Sequence, residues 1–174
     1  EGSSLCIRSM LYLAIKGRQK PLIVAGRNAH KTFISASALL DFDVEWLYSK
    51  DNYLCCSVTA KDVENAINNC QRKPVAVYLT SPDYLGNTLN IGEIAKVCKK
   101  AGVLLLIDNA HGAYLKFLSP SAHPMDLGAD MCCDSAHKTL PCLTGGAYLH
   151  VSRFTDFYFS QNAKEAMSLF ASTS

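Results

Sequence analysis

The sequence lacks the patterns that mark several common classes of site. It has no Cys-x-x-Cys pair and therefore none of the usual zinc spacings, so we expect no metal site. It has neither Gly-x-Gly-x-x-Gly nor a Walker glycine-lysine loop, which argues against a nucleotide-binding sheet. No apolar run approaches the roughly 18 residues that span a bilayer, and no secretory signal pattern opens the chain. We expect a soluble, cytoplasmic protein.

Charge and cysteine content exclude two further classes. The formal net charge is only +2 and the lysines are scattered, so no basic surface is available for nucleic acid. Eight cysteines are present, but Cys55-Cys56 and Cys132-Cys133 are adjacent pairs, and neighbouring residues of a strand point to opposite faces. This arrangement favours buried, reduced thiols over a disulfide scaffold. With 174 residues and 49% hydrophobic content, the chain most simply forms one domain.

Two strand ends in the second half of the chain carry most of the polar chemistry. Val103 to Ile107 is an unbroken apolar run, typical of a parallel strand covered on both faces, and Asp108 follows it. Met131 to Cys133 is a second such run. It is followed by a carboxylate, a hydroxyl, an imidazole and an amine, from Asp134, Ser135, His137 and Lys138. Ligands of open α/β sheets bind beyond the carboxyl ends of the strands, so both ends are predicted to face one crevice.

This combination of groups suits pyridoxal phosphate. The cofactor requires a lysine amine for its Schiff base and an acidic partner that keeps its ring nitrogen protonated. Lys138 and Asp108 can fill these two roles. Ser135 and His137 can hold phosphate oxygens.

Five stretches, in order along nearly the whole chain, resemble the pyridoxal-phosphate domain of the ornithine/lysine/arginine decarboxylase family. They are Gly-Ser-Ser at 2–4, Arg-Asn-Ala-His-Lys-Thr at 27–32, Thr-Ser-Pro-Asp-Tyr-Leu-Gly at 80–86, Asp-Asn-Ala-His-Gly-Ala at 108–113 and Ser-Ala-His-Lys-Thr at 135–139. The resemblance implies decarboxylation of a basic amino acid in amino acid and polyamine metabolism. It also implies a homodimer or larger homo-oligomer.

The resemblance also assigns roles to residues outside the two strand ends. Ser3 and Ser4 match a turn that holds the cofactor phosphate, although by themselves they suit a helix cap equally well. His30 would stack on the pyridine ring, with the small Ala110 on the opposite face; alternatively His30 caps a helix or lies at the surface. His111 would act as a proton donor or as a hydrogen-bond partner of Asp108, or it satisfies local backbone groups.

The pattern of elements predicts an α/β fold of three layers, αβα, with a mainly parallel sheet, as in the major domain of PLP-dependent transferases. Predicted helices cover residues 5–16, 30–40, 60–70 after a Thr59–Asp62 capping box, 91–100 and 161–171, with a short helical turn at 125–129. Predicted strands cover residues 21–25, 44–48, 74–80, 103–107 and 131–133, with 145–151 set against the sheet. Residues 49–57 and 118–124 are predicted loops.

Three departures from the family and two alternatives limit the functional prediction. Cys6 and Ile7 replace a glycine and an amide side chain at the phosphate turn, and Gly145-Gly146 replaces more polar residues. Another PLP enzyme of the same fold, such as an aminotransferase, desulfurase or lyase, would also use an aspartate followed by a lysine. Residues 169–174 resemble a segment that continues into a second domain. We therefore expect residues 1–174 to be a partial major domain that lacks the small C-terminal domain. The second alternative is that this fragment folds without cofactor and is inactive.

Overall fold

A computed structural model describes residues 2–49 and 57–172 of the chain. Its helices are α1 (Gly2–Ile15), α2 (Lys31–Leu40), α3 (Ala60–Asn69), α4 (Ile91–Ala101), α5 (Ala136–Thr139) and α6 (Phe157–Phe170), with a 3₁₀ helix at Ala113–Phe117. Its strands are β1 (Leu22–Gly26), β2 (Asp43–Leu47), β3 (Ala76–Thr80), β4 (Leu104–Asp108), β5 (Met131–Asp134) and β6 (Tyr148–Val151). Of the loop predicted at 49–57, residues 50–56 lie outside the described part.

The strands form one sheet in the order β2-β1-β3-β4-β5-β6. Strands β1 to β5 pair in parallel, and β6 pairs antiparallel with β5. Helices α1, α2 and α6 pack on one face of the sheet, whereas α3 and α4 pack on the other. The predicted three-layer αβα fold, with a last strand set against a parallel sheet, is confirmed.

Side-chain alternation along the strands explains why both faces are covered. In β4, Leu106 belongs to the core beneath α1, whereas Leu105 and Ile107 belong to the core beneath α4. Each of β1, β3 and β5 is buried along its whole length. An unbroken apolar run is what a strand between two helical layers requires, because each residue faces one layer or the other.

Several predicted element boundaries differ from the structure, among them those of α1, of the segment at 124–128 and of α6. Helix α1 begins at Gly2 rather than residue 5, because burial of its apolar face outweighs the low helix propensity of glycine and serine. Residues 124–128 form turns instead of a helix, since Gly128 has a φ of 105° and ends the segment. Helix α6 begins at Phe157, where Asp156 caps it by accepting from the Tyr158 amide.

The structure also bears on the expectations of unpaired cysteines and of a chain without membrane-spanning segments. The described cysteines are free thiols at Cys6, Cys70, Cys98, Cys132, Cys133 and Cys142. No helix in the described ranges is both long enough and apolar enough to cross a membrane.

The predicted capping box opens helix α3, on the face of the sheet that carries α4. The Asp62 amide donates to Thr59 Oγ1 over 3.2 Å, and the Thr59 amide donates to Asp62 Oδ2 over 3.0 Å. We expect Thr59→Ala to lower the free energy of unfolding by about 1 kcal/mol, because one amide of the first turn loses its acceptor. Urea denaturation measures this loss. Thr59→Ser is the control and should retain the stability; equal stability of the Ala and Ser variants would contradict the capping role.

Candidate active site

A narrow cleft opens at the carboxyl edge of the sheet. Its lining combines the start of α1 with segments that follow four parallel strands: Ser3, Ile7, His30, Thr80, Tyr84, Asp108, Ala110, His111 and Lys138. The cleft thus brings together six of the predicted site residues. The other three, Ser4, Ser135 and His137, are not part of its lining.

Sheet topology places the cleft at this edge. The chain moves from β1 outward to β2 on one side and from β3 to β4 and β5 on the other. Adjacent strands whose connections leave in opposite directions form a crevice at their carboxyl ends, where α/β proteins bind ligands. His30 follows β1, and Asp108 ends β4, so both reach the cleft from the sheet.

Asp108 is a buried carboxylate, 1% exposed, with two neutral hydrogen-bond donors. The Tyr78 hydroxyl donates to Oδ2 over 3.0 Å, and the Ala110 amide donates to Oδ1 over 3.2 Å. Burial raises the pKa of Asp108, and these two hydrogen bonds oppose that shift only in part. A cation placed in the cleft beside this carboxylate would favour its ionised form.

The amine of Lys138 lies at the cleft beside an imidazole. Lys138 Nζ donates to His111 Nε2 over 3.1 Å, and the Tyr84 ring lies 5.0 Å from the His111 ring, between centroids. Burial and then the charge of Lys138 lower the pKa of His111, which keeps its imidazole neutral as an acceptor. The prediction that His111 is a hydrogen-bond partner of Asp108 is wrong: Tyr78 and Ala110 take that place, and His111 turns to Lys138 instead.

His30 both caps helix α2 and lines the cleft. Its Nδ1 accepts from the Thr32 amide over 3.2 Å and lies 2.9 Å from the Thr32 hydroxyl. The two readings left open by the sequence are therefore compatible, because the capping bonds fix the ring at the edge of the cleft. The Thr32 hydroxyl also lies 3.1 Å from Ser4 Oγ, which joins this ring to the start of α1.

The first turn of α1 is the part of the cleft suited to an anion. Ser3 lies there, and the amides of a first helical turn have no partners within the helix. Ile7 lines the same end with an apolar side chain. Elsewhere, Ser135 Oγ is buried without a hydrogen-bond partner in the described structure, and His137 Nδ1 donates to the Gly146 carbonyl over 3.1 Å.

Sequence reasoning missed two residues of β3 that belong to this site. Tyr78 is completely buried, stacks on Phe33 with ring centroids 4.4 Å apart and binds Asp108. Thr80 lines the cleft with a buried hydroxyl. A tyrosine inside an apolar strand was the available signal, since a buried hydroxyl needs a partner.

A buried network of polar groups lies on the other face of the sheet. Asp134 Oδ2 accepts from His123 Nε2 over 3.0 Å and from His150 Nε2 over 2.9 Å, and Asn109 Nδ2 donates to Oδ1 over 2.6 Å. The Asp134 carboxylate and the imidazoles of His123 and His150 lie close enough together to share a metal ion. However, the Met125 amide donates to Nδ1 of His123, so the proton of that ring is on Nε2 and points to Asp134. The arrangement is therefore a hydrogen-bond network around a carboxylate.

The loop that joins this network to the cleft leaves no room for a side chain at Gly112. A Cβ there would overlap the Asn109 amide oxygen and lie 2.6 Å from Pro82 Cδ. Asn109 follows Asp108 directly, and the backbone N–H of Asn109 donates to the Cys133 carbonyl over 2.9 Å. The backbone next to Asp108 is thereby held against β5.

Comparison with known proteins gives a consistent result. The family model "Orn/Lys/Arg decarboxylase, major domain" matches residues 1–174. The arginine decarboxylase of Halalkalibacterium halodurans is 30% identical over 157 residues, which cover 87% of this chain and 31% of that protein. Among solved structures, mouse CSAD superposes with a TM-score of 0.75 at 19% identity, over 89% of this chain and 36% of that one. Oryza sativa TDC with PLP gives 0.73 at 17% identity, over 98% and 43%.

These relatives are much longer than the chain. It spans 28% of the uncharacterized protein YaaO of Bacillus subtilis and 31% of the arginine decarboxylase. The structural neighbours, at their low identity, establish the shared fold.

Asp134 gives the site region a pH dependence with a definite sign. Burial opposes its ionisation, but hydrogen bonds from His123, His150 and Asn109 outweigh burial and hold its pKa well below the usual range. A depressed folded pKa contributes stability above the unfolded value of about 4, and that stability is lost as the pH falls through the folded pKa.

We therefore expect Asp134→Asn to lower the free energy of unfolding by about 3 kcal/mol at neutral pH, because the buried donors lose a charged acceptor. The difference from the unsubstituted chain should shrink as the pH falls below about 4. Urea denaturation at a series of acidic pH values measures it. A difference that stays constant through this range would contradict an ionised Asp134.

Proposed function

Because the chain belongs to the Orn/Lys/Arg decarboxylase family, through that family's major domain, we propose that its cleft binds pyridoxal phosphate and serves the decarboxylation of a basic amino acid. The observation that carries this proposal is the placement of Lys138 and the buried Asp108 in one cleft, at the ends of neighbouring strands. The cofactor, when bound, supplies a protonated ring that takes up the electron pair left by departing carbon dioxide.

The residues of the cleft fit the cofactor group by group. A buried carboxylate with only neutral donors suits the positively charged ring nitrogen, and an amine at the cleft suits the aldehyde. The proposed holding residues are Lys138 for the aldehyde, Asp108 for the ring nitrogen, His30 and Ala110 for the two ring faces, and Ser3, Ser4, Ser135 and His137 for the phosphate. Ser135 supports the last role through its unpartnered buried hydroxyl.

Asp108 keeps a proton on the ring nitrogen by electrostatic attraction. Tyr78 and Ala110 hold one oxygen each, so the carboxylate is oriented before a ligand enters. An interaction of opposite charges is stronger in a buried site than in water. The burial that raises the pKa of the isolated carboxyl therefore strengthens its pairing with a cation.

His111 is placed to accept a proton from the Lys138 amine. Lys138 must lose a proton before its nitrogen can attack a carbonyl carbon. The neutral His111 Nε2 lies 3.1 Å from Lys138 Nζ and can accept that proton. Once protonated, the same nitrogen is a proton donor, which is the role predicted from the sequence.

The proposed substrate is arginine, lysine or ornithine, which share the α-amino acid group and differ at the far end of the side chain. We further propose that the chain is part of a larger major domain, that it acts as a homodimer or larger homo-oligomer, and that it resides in the cytoplasm.

Replacement of Lys138 tests the attachment of the cofactor. The chain is titrated with pyridoxal phosphate, treated with borohydride and weighed by mass spectrometry. We expect the unsubstituted chain to gain the mass of one reduced cofactor and Lys138→Ala to gain none, because Lys138 is the one amine among the described residues of the cleft. Lys99→Ala, an exposed lysine of α4, is the control and should be labelled fully. Labelling of Lys138→Ala at the same level would refute the assignment.

Replacement of Asp108 separates binding from chemistry. Asparagine keeps one acceptor oxygen for the Ala110 amide, and its Nδ2 can donate to the Tyr78 hydroxyl, but it carries no charge. We therefore expect carbon dioxide release to fall roughly 100-fold or more while borohydride labelling persists. Release is measured from arginine, lysine and ornithine with the complete polypeptide. Asp126→Asn, at the surface ion pair with Lys116, is the control. Normal turnover by Asp108→Asn would contradict the role, and keto acid release by the unsubstituted enzyme would indicate a transaminase.

A further inference from the structure

Thr80 is the last residue of strand β3, and its hydroxyl makes no hydrogen bond to the described groups. The residue is 6% exposed, and its Oγ1 is buried without a hydrogen-bond partner among the described groups. Buried hydroxyls are nearly always paired, because an unpaired one loses its bonds to water without replacement. Since Thr80 lines the cleft, a molecule that enters the cleft can supply this partner.

The position of Thr80 beside Asp108 narrows the choice of partner. The two residues are paired in register on adjacent strands, which lie about 4.8 Å apart. Thr80 also shares its strand face with Tyr78, whose hydroxyl binds Asp108. A ligand that places a cationic ring nitrogen against Asp108 therefore places other parts of the same ring within the neighbourhood of Thr80.

The cofactor has four polar groups, and three of them already have partners in the proposed function. The ring nitrogen is assigned to Asp108, the aldehyde to Lys138 and the phosphate to the serine residues. The fourth is the oxygen attached directly to the ring. Of the remaining polar groups in the cleft, Tyr84 is 66% exposed and has water available, whereas Thr80 Oγ1 and His111 Nδ1 are both buried without a partner among the described groups. Thr80 is the one of these two residues that is paired in register with Asp108.

We propose that the Thr80 hydroxyl donates a hydrogen bond to the ring oxygen of pyridoxal phosphate, an inference that rests on the proposed function. The bond fixes the rotation of the ring in its own plane, since Asp108 alone holds only one point of it. A donor at this oxygen also stabilises its anionic form.

Binding of two ligands to three chains tests the proposal. The ligands are pyridoxal phosphate and its 3-deoxy analogue, which lacks only the ring oxygen. We expect Thr80→Val to weaken the binding of pyridoxal phosphate roughly 3- to 10-fold, the range of one hydrogen bond, and to leave the binding of the analogue unchanged. Thr80→Ser retains the hydroxyl and should bind both ligands as the unsubstituted chain does.

Unfolding of the ligand-free chains tests whether Thr80 has only a structural role. Thr80→Val replaces an unpaired hydroxyl with a methyl group of similar size, so the ligand-free variant should unfold at the same urea concentration as the unsubstituted chain, or higher. A clear loss of stability would show that the hydroxyl has a partner inside the protein and would overturn the proposal.

The remaining outcomes distinguish a failure of the role of Thr80 from a failure of the proposed function. Unchanged binding of pyridoxal phosphate by Thr80→Val, or equal weakening for both ligands, overturns the role of Thr80 and leaves the proposed function intact. Failure of the unsubstituted chain to bind pyridoxal phosphate overturns both.

Discussion

The buried carboxylate of Asp108 is the constraint on which the site depends. A carboxyl group at the end of a central strand, beneath two helical layers, is costly to ionise unless a positive charge is brought to it. Among the described residues, its direct donors are the Tyr78 hydroxyl and the Ala110 amide. Because both of these donors are neutral, a cationic ligand would stabilise the ionised carboxylate. The cleft therefore favours ligands by their charge as well as by their shape.

The parallel sheet explains how residues more than a hundred positions apart reach this carboxylate. Parallel strands end at a common edge, so each crossover returns the chain to the same rim with a new set of side chains. His30, Thr80, Asp108 and Lys138 arrive by four such returns, and α1 adds the first turn of a helix. The antiparallel β6 ends the series and pairs along the strand that precedes Lys138.

The sequence predicted the parts of this arrangement that depend on local pattern. The apolar runs before Asp108 and Lys138, the capping box at Thr59 and the alternation of strands and helices each express a local rule, and each was found. Partnerships across the sheet could not be predicted in this way. His111 was equally able to face Asp108 or Lys138, and the choice depends on Tyr78, which comes from another strand. His123 carried no local signal at all, since its bond to Asp134 exists only after β5 has entered the sheet.

Thr32 has a consequence that extends along the whole cleft. Its single hydroxyl oxygen lies within hydrogen-bond distance of both Ser4, in the first turn of α1, and the ring of His30. The first turn of α1 and the side of the cleft formed by His30 are therefore linked through one hydroxyl oxygen. Loss of this oxygen would break both contacts at once.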